Sequence, residues 1–210
     1  MSAYIPDPVV KRLPKYYRYL KELERENRLF ISSSELADLL GLTASQVRQD
    51  VNAFGGEGRQ GCGYSVSGMR QYIGEVLGTN LIQKLIIVGM GHLGQALVRY
   101  EGFSSDNYQT VAAFDTDEQK IGLRIGDITI RHIRELENTL AKKTADVAVL
   151  TLPAHAAQNV AETLYACGIR GFWNFAPVDL KLPADASIVS VHMDDSLELL
   201  SYRMLHLDLF

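Results

Sequence analysis

The stretch Lys84-Leu85-Ile86-Ile87-Val88-Gly89-Met90-Gly91-His92-Leu93-Gly94-Gln95-Ala96-Leu97-Val98 decides how this chain folds. An apolar, β-branched run stops at Gly89 and a helical pattern begins after Gly94, so the glycines form a turn between a buried strand and a helix. In such a spacing the first glycine permits a tight turn, and the second lets backbone N–H groups approach a pyrophosphate. The third allows the helix to pack closely on its strand, and the helix N-terminus adds positive potential. Gly89, Met90, Gly91, His92, Leu93 and Gly94 therefore read as a cofactor-binding loop. The spacing alone is a weak signal. It gains from Asp115, which ends the run Tyr108-Gln109-Thr110-Val111-Ala112-Ala113-Phe114-Asp115 at about the ~20-residue distance of a ribose-binding carboxylate. A 2′-phosphate would meet Asp115 and Asp117 with no arginine directly beside them, so NAD(H) is expected rather than NADP(H).

Outward from this turn, strands and helices alternate. Residues 145–152 are apolar and β-branched enough for a buried parallel strand. Pro153 fits a following loop or a first helical turn, Ala154 to Cys167 reads as a helix ended by Gly168, and Gly171 to Phe175 as another strand. The pattern predicts an α/β fold: a Rossmann-like, doubly wound parallel sheet with its ligand at the carboxyl edge. The Thr151-Leu152-Pro153 turn and the Asn174–Pro177 loop fall at strand ends where a nicotinamide ring would rest; ordinary strand-end turns have the same composition. In the last segment Leu197, Leu200, Met204 and Leu207 recur at helical spacing among further leucines. A helix apolar on more than one face needs cover on more than one side, from its own chain or from a second copy.

The 210 residues suffice for one large or two modest domains, and 47% hydrophobic with 22% charged residues is an ordinary globular balance. No run approaches the ~20 apolar residues of a membrane span, and Met1 to Pro8 lacks a secretory pattern, so a cytoplasmic location without membrane contact is expected. Cys62 and Cys167 suggest neither a disulfide framework nor a metal site. The net charge of −4 argues against indiscriminate nucleic-acid binding, but residues 1–80 hold 10 basic and 9 acidic residues against 11 and 16 in the remainder. The slight electrostatic leaning toward phosphate lies at the N-terminus.

Those first eighty residues have a different rhythm. Pro14 through Glu26 reads as a helix with Tyr16, Tyr17, Leu20 and Leu23 to one side. Two capping boxes follow. Ser32 with Glu35 opens a helix carrying Leu36, Ala37, Leu39 and Leu40 and ended by Gly41; Thr43 with Gln46 opens a second, with Val47, Val51 and Phe54 inward. Ser45, Gln46, Arg48, Gln49 and Asn52 turn largely outward. This is a helix-turn-helix pattern, which serves DNA reading or plain helix pairing. The glycine-rich stretch Gly55 to Gly63 leading into Tyr64-Ser65-Val66 adds a β wing, which favours DNA, with a ribbon side chain in the minor groove. Arg48 is expected on phosphate or guanine edges and Gln49 on adenine. Thr43, Ser45, Gln46, Arg48, Gln49, Arg59, Gln60 and Tyr64 make up the expected DNA-facing set.

Several ordered segments resemble one known family across nearly the whole chain, the redox-sensing transcriptional repressors called Rex. They are Arg12-Leu13-Pro14-Lys15-Tyr16-Tyr17-Arg18, Ser33-Ser34-Glu35-Leu36-Ala37, Gln46-Val47-Arg48-Gln49-Asp50, Phe54-Gly55 and Gly61-Cys62-Gly63-Tyr64. Gly89 to Gly94, Tyr100-Glu101-Gly102-Phe103 and Asn174-Phe175-Ala176-Pro177 complete them. The resemblance implies a homodimer that binds palindromic double-stranded operator DNA and releases it when NADH accumulates, with NADH and NAD+ as effectors. It implies domains at 1–80 (winged helix), 81–193 (NAD(H)-binding) and 194–210 (a C-terminal helix swapped between subunits). It also implies that Tyr100, Thr151, Pro153 and Asn174 line the cofactor cleft. Two positions depart from the family. Gln60 stands where members often carry an arginine before the wing's Gly-x-Gly-Tyr, with Arg59 one residue earlier, so either side chain is open as the minor-groove probe. His192 stands where some members carry an aspartate paired with the tyrosine at Tyr100; Asp194 and Asp195 lie close by.

The rival from another class is an NAD-dependent oxidoreductase with an accessory helical domain. It would need a proton-transfer group and a substrate anchor. His92 sits inside the glycine loop, and His155, at a helix start, is the remaining candidate. The residues that would build a substrate domain form the winged helix instead, so a sensor without catalytic residues is expected.

Overall fold

The computed structural model describes residues 5–55, 58–59, 62–100, 107–142 and 144–206. The chain divides into two compact units, residues 1–81 and 82–210.

In the first unit a short helix α1 (Asp7–Val10) leads into α2 (Leu13–Arg25), β1 (Phe30–Ile31), α3 (Ser33–Leu40) and α4 (Ala44–Phe54). Then come β2 (Gly58–Arg59), β3 (Gly63–Ser65) and α5 (Val66–Leu77). Both capping boxes form. Ser32 Oγ accepts the Glu35 N–H at 3.2 Å while Glu35 Oε2 accepts the Ser32 N–H at 2.9 Å. Thr43 Oγ1 and Gln46 Oε1 do the same for the next helix, at 3.1 and 3.3 Å. Each box satisfies two backbone donors that a helix start leaves orphaned, which fixes where α3 and α4 begin. The Ser32 N–H, the Ser32 hydroxyl and Arg28 hold the Glu35 carboxyl down at about 2. Leu13, Tyr16, Leu20, Leu36, Leu40, Val47, Val51, Phe54, Val66 and Ile73 close one core. Strands β1, β3 and β2 pair antiparallel in that order, the ribbon of a winged helix.

Three details add to or depart from the sequence reading. Leu39, carried on α3 with buried Leu36, Ala37 and Leu40, is 38% exposed. Val66 opens a helix rather than ending a strand, because Ser65 caps it by accepting the Gly68 N–H at 3.2 Å. Gly68 and Gly74 lower the local helix propensity and mask the period of α5. Asp50 is buried among the apolar residues of α4.

Asp50 is balanced by a specific network. Arg12 donates to both its oxygens, at 2.8 and 2.6 Å, and the Tyr16 hydroxyl donates at 3.0 Å. Burial and the adjacent carboxylate push the Tyr16 phenol upward, so it stays a donor. The network ties α2 to α4.

The second unit is a seven-stranded sheet in the order β10-β9-β8-β4-β5-β7-β6. Its strands are β4 (Gln83–Val88), β5 (Tyr108–Asp115), β6 (Arg124–Ile125), β7 (Ile128–His132), β8 (Val147–Leu150), β9 (Gly171–Asn174) and β10 (Ser187–Ser190). All neighbours run parallel except β6 and β7. Alternate residues of the central strands enter two separate cores. Ile86, Val88, Phe114, Ala148 and Leu150 pack with α7 (Leu136–Leu140) and α8 (Ala154–Ala166), whereas Leu85, Ile87, Ala113 and Val149 face α6 (His92–Val98). Burial on both faces is what the continuous apolar runs required. The order reverses between β4 and β8, and that switch point opens a crevice at their carboxyl ends. The hairpin of β6 and β7 turns on Gly126-Asp127.

The final helix, α9 (Met193–Leu205), has no buried residue; Leu197, Leu200 and Met204 are 65%, 52% and 63% exposed. Packing among the described residues of one chain does not cover it; Leu207, expected on the same helix, lies outside those residues. No described helix is long and apolar enough to cross a membrane.

Replacing Asp50 by Ala leaves the Arg12 and Tyr16 donors without their acceptor. Because Arg12 stays partly solvated, the loss expected in urea unfolding is about 2 kcal/mol, below the ~3–5 kcal/mol of a fully buried pair. A triple replacement, Arg12→Met and Tyr16→Phe with Asp50→Leu, which removes both donors with their acceptor, should recover most of it.

Candidate functional site

At the switch point, three glycines meet three different environments. Gly89 lies at φ +97°, and a Cβ there would come 2.5 Å from the Thr151 carbonyl oxygen. A Cβ on Gly94 would stand 2.0 Å from the Gly89 carbonyl oxygen, so α6 sits directly on the turn. Nothing lies within 4 Å of the Cβ position of Gly91. That space, beside the first turn of α6, is what a pyrophosphate needs, and a side chain would occupy it. The cradle thus fits a dinucleotide on backbone geometry alone.

The other expected residues take distinct places. Met90 is fully buried and contributes its backbone N–H, while His92 is exposed and Leu93 half-buried at the start of α6. Thr151 donates its hydroxyl to the Gly89 carbonyl at 2.5 Å, tying the ends of β4 and β8 together. Pro153 is exposed as the N-cap of α8. Asn174 closes the loop that follows β9. It is fully buried, its amide donates to the carbonyls of Ala176 and Val178 at 3.3 and 2.8 Å, and its oxygen accepts the Ala176 N–H at 3.0 Å. It shapes the 174–177 loop from within. Tyr100 follows α6 and is 58% exposed; Glu101, Gly102 and Phe103 lie outside the described residues.

Asp115 is engaged with the protein's own donors. One oxygen accepts the Met90 N–H at 2.6 Å and the Lys120 ammonium at 3.3 Å; the other accepts the Asp117 N–H at 2.9 Å. Burial works against its charge, but the Asp117 and Met90 N–H groups and Lys120 together hold the carboxyl below the ordinary carboxylate range. Lys120 is the residue that sequence reasoning missed. Its ammonium lies 3.3 Å from Asp115 and 3.3 Å from Asp117. The signal was present as Asp115-x-Asp117-x-x-Lys120, a lysine one turn beyond two carboxylates.

In the first unit α4 presents a polar face. Thr43, Ser45, Gln46, Arg48, Gln49 and Asn52 are all exposed, opposite buried Val47, Val51 and Phe54. The Thr43 hydroxyl and the Gln46 amide oxygen are used by the capping box, and Arg48 donates to Ser33 Oγ at 3.1 Å. Arg59 lies in β2, whereas Gln60 lies outside the described residues. Tyr64 is half-buried against the core, so it supports the wing from behind. His192, the N-cap of α9, lies 3.6 Å from Asp179.

The glycine geometry gives a paired test. Gly91→Ala adds a methyl into open space at φ −70° and should alter stability by no more than about 0.5 kcal/mol. It should weaken NADH about tenfold in a calorimetric titration, a change of ~1.4 kcal/mol. Gly94→Ala must push α6 off its strand and should cost about 1–3 kcal/mol of stability in urea unfolding.

Comparison with known proteins agrees with both units. Residues 4–52 match the family described as "Putative DNA-binding protein N-terminus", and residues 80–178 match "CoA binding domain". A protein of Caldicellulosiruptor bescii named "Redox-sensing transcriptional repressor Rex" is 44% identical over 196 residues, 93% of this chain and 90% of that one. The crystal structure of RSP in complex with beta-NAD+ and operator DNA superposes with a TM-score of 0.91 at 39% identity, covering 99% of this chain and 95% of that one. RSP in complex with beta-NADH gives 0.89 at 38%, covering 98% and 97%. With a winged helix, a glycine cradle at a sheet switch point and such relatives along its length, this chain belongs to the Rex family of redox-sensing transcriptional repressors.

Proposed function

We propose that the chain works as a homodimer that grips operator DNA through its winged-helix units and releases it when NADH enters the Rossmann-like units. The observation that carries this reading is the presence, in one chain, of an exposed polar face on α4 and an open backbone cradle at Gly91. Relatives solved with NAD+ and operator DNA, and with NADH, support it. The oxidoreductase alternative lacks comparable support. Its best acid–base candidate, His155, is an exposed residue in the first turn of α8, and the relatives are named as repressors. This reading places the protein in the cytoplasm.

Each part of the chain has a role in it. The N-terminal residues of α4 read base edges, Arg48 and Gln49 foremost, and the β2–β3 ribbon reaches the adjacent minor groove through Arg59 or Gln60. A dimer sets two such helices about 34–36 Å apart. The apolar residues of α9, all exposed in a single chain, support the dimer, since a second copy would cover them. The open turn at Gly91, which Gly89 and Gly94 make possible, holds the pyrophosphate, and the Asp115 region holds the adenosine ribose. A reduced nicotinamide is uncharged, whereas the oxidised ring carries a charge that apolar surroundings penalise, so the redox state is read as solvation energy. Reversing a 1:99 population to 99:1 takes about 5.5 kcal/mol of differential affinity.

Operator duplexes selected from random sequence and run in gel shifts at fixed salt test the reading. NADH should release the DNA at concentrations where NAD+ does not, and Arg48→Ala should weaken binding by about 1–3 kcal/mol. Retention indifferent to NADH, together with NADH-dependent reduction of a small carbonyl compound, would favour the enzyme.

A further inference from the structure

Two carboxylates flank the Lys120 ammonium, and they are not equivalent. The Asp115 side chain is 10% exposed and the Asp117 side chain 41% exposed, each 3.3 Å from Lys120. Asp115 is committed elsewhere. It receives the Met90 N–H from the glycine turn and the Asp117 N–H from its own loop. Removing its carboxyl oxygens would strand a buried backbone donor, so Asp115 is bound to the turn's construction whatever nucleotide is held. Asp117 carries only a local task besides Lys120, accepting the Gln119 N–H at 3.0 Å.

We propose that Asp117, by holding the Lys120 ammonium, is the residue that denies this site a 2′-phosphorylated dinucleotide. The inference rests on the reading above that the carboxyl edge of β5 takes the adenosine ribose. A phosphate on that ribose adds close to two negative charges. It meets two carboxylates and one ammonium already engaged by both. Without the Asp117 carboxylate the local balance loses one repelling charge, and Lys120 gains donors for a phosphate, the chemistry that an NADP-binding cation supplies. Glu118, the residue between, serves as an internal control. Its carboxylate lies 3.5 Å from His132 Nε2, so its removal takes the same charge from this edge without releasing Lys120.

The test titrates NADH and NADPH separately into the full-length protein and its variants by isothermal calorimetry. Wild type should bind NADH and discriminate against NADPH. Asp117→Ser should raise NADPH affinity by about tenfold or more, the scale of one hydrogen bond between charged groups, while NADH changes by less than about threefold. Asp117→Asn keeps an acceptor for the Gln119 N–H and carries the same expectation, which covers a loop weakened by serine. Glu118→Gln should give no comparable gain, and adding Lys120→Met to Asp117→Ser should abolish it. Unchanged NADPH affinity in both Asp117 variants that still bind NADH would overturn the proposal alone. So would an equal gain in Glu118→Gln, or a gain that survives loss of Lys120. Failure of wild type to bind NADH would overturn the dinucleotide reading and this proposal with it.

Discussion

There is no room for a side chain between α6 and the carbonyl of Gly89. A Cβ on Gly94 would approach that oxygen to 2.0 Å, and one on Gly89 would meet the Thr151 carbonyl at 2.5 Å. This contact puts the helix start at the carboxyl ends of β4 and β8, where the strand order reverses. It also places the Met90 N–H within reach of Asp115 on the neighbouring strand, at 2.6 Å. Asp115 then anchors the loop that carries Asp117 and Lys120. The open space at Gly91, the exposed start of α6 and the placement of the Asp115–Lys120 edge all follow from one backbone approach that only glycine permits.

The N-terminal unit solves a different problem with a charge. Val47, Val51 and Phe54 attach α4 to the core, but apolar contact is non-directional and leaves the helix free to roll. Asp50 removes that freedom, since the Arg12 fork and the Tyr16 hydroxyl approach it from fixed directions. The roll of α4 decides which side chains face outward, and so which could meet base edges. A buried ion pair adds little to stability against an apolar replacement. Its value here lies in setting orientation.

The C-terminal helix leaves the account of a single chain incomplete. Thirteen residues, with leucines at helical spacing, stay exposed in α9. Apolar area of that extent on a monomer marks an interface.

The sequence by itself determined the elements whose signals are local: the Gly89–Gly94 turn, both capping boxes, the strand ending at Asp115 and the amphipathic face of α4. Each rests on residues within a few positions of one another, where periodicity and hydrogen-bonding chemistry act directly. Glycines inside α5 hid its helical period, and the β6–β7 hairpin was too short to show its own. Only the tertiary structure decided that Asp50 is buried with Arg12, 38 residues away. Only it turned Asn174 inward to hold its loop, and clamped Lys120 between Asp115 and Asp117. Those partners are set by how strands and helices stack, and a linear pattern carries no information about which polar groups the packing will bring within three ångströms of each other.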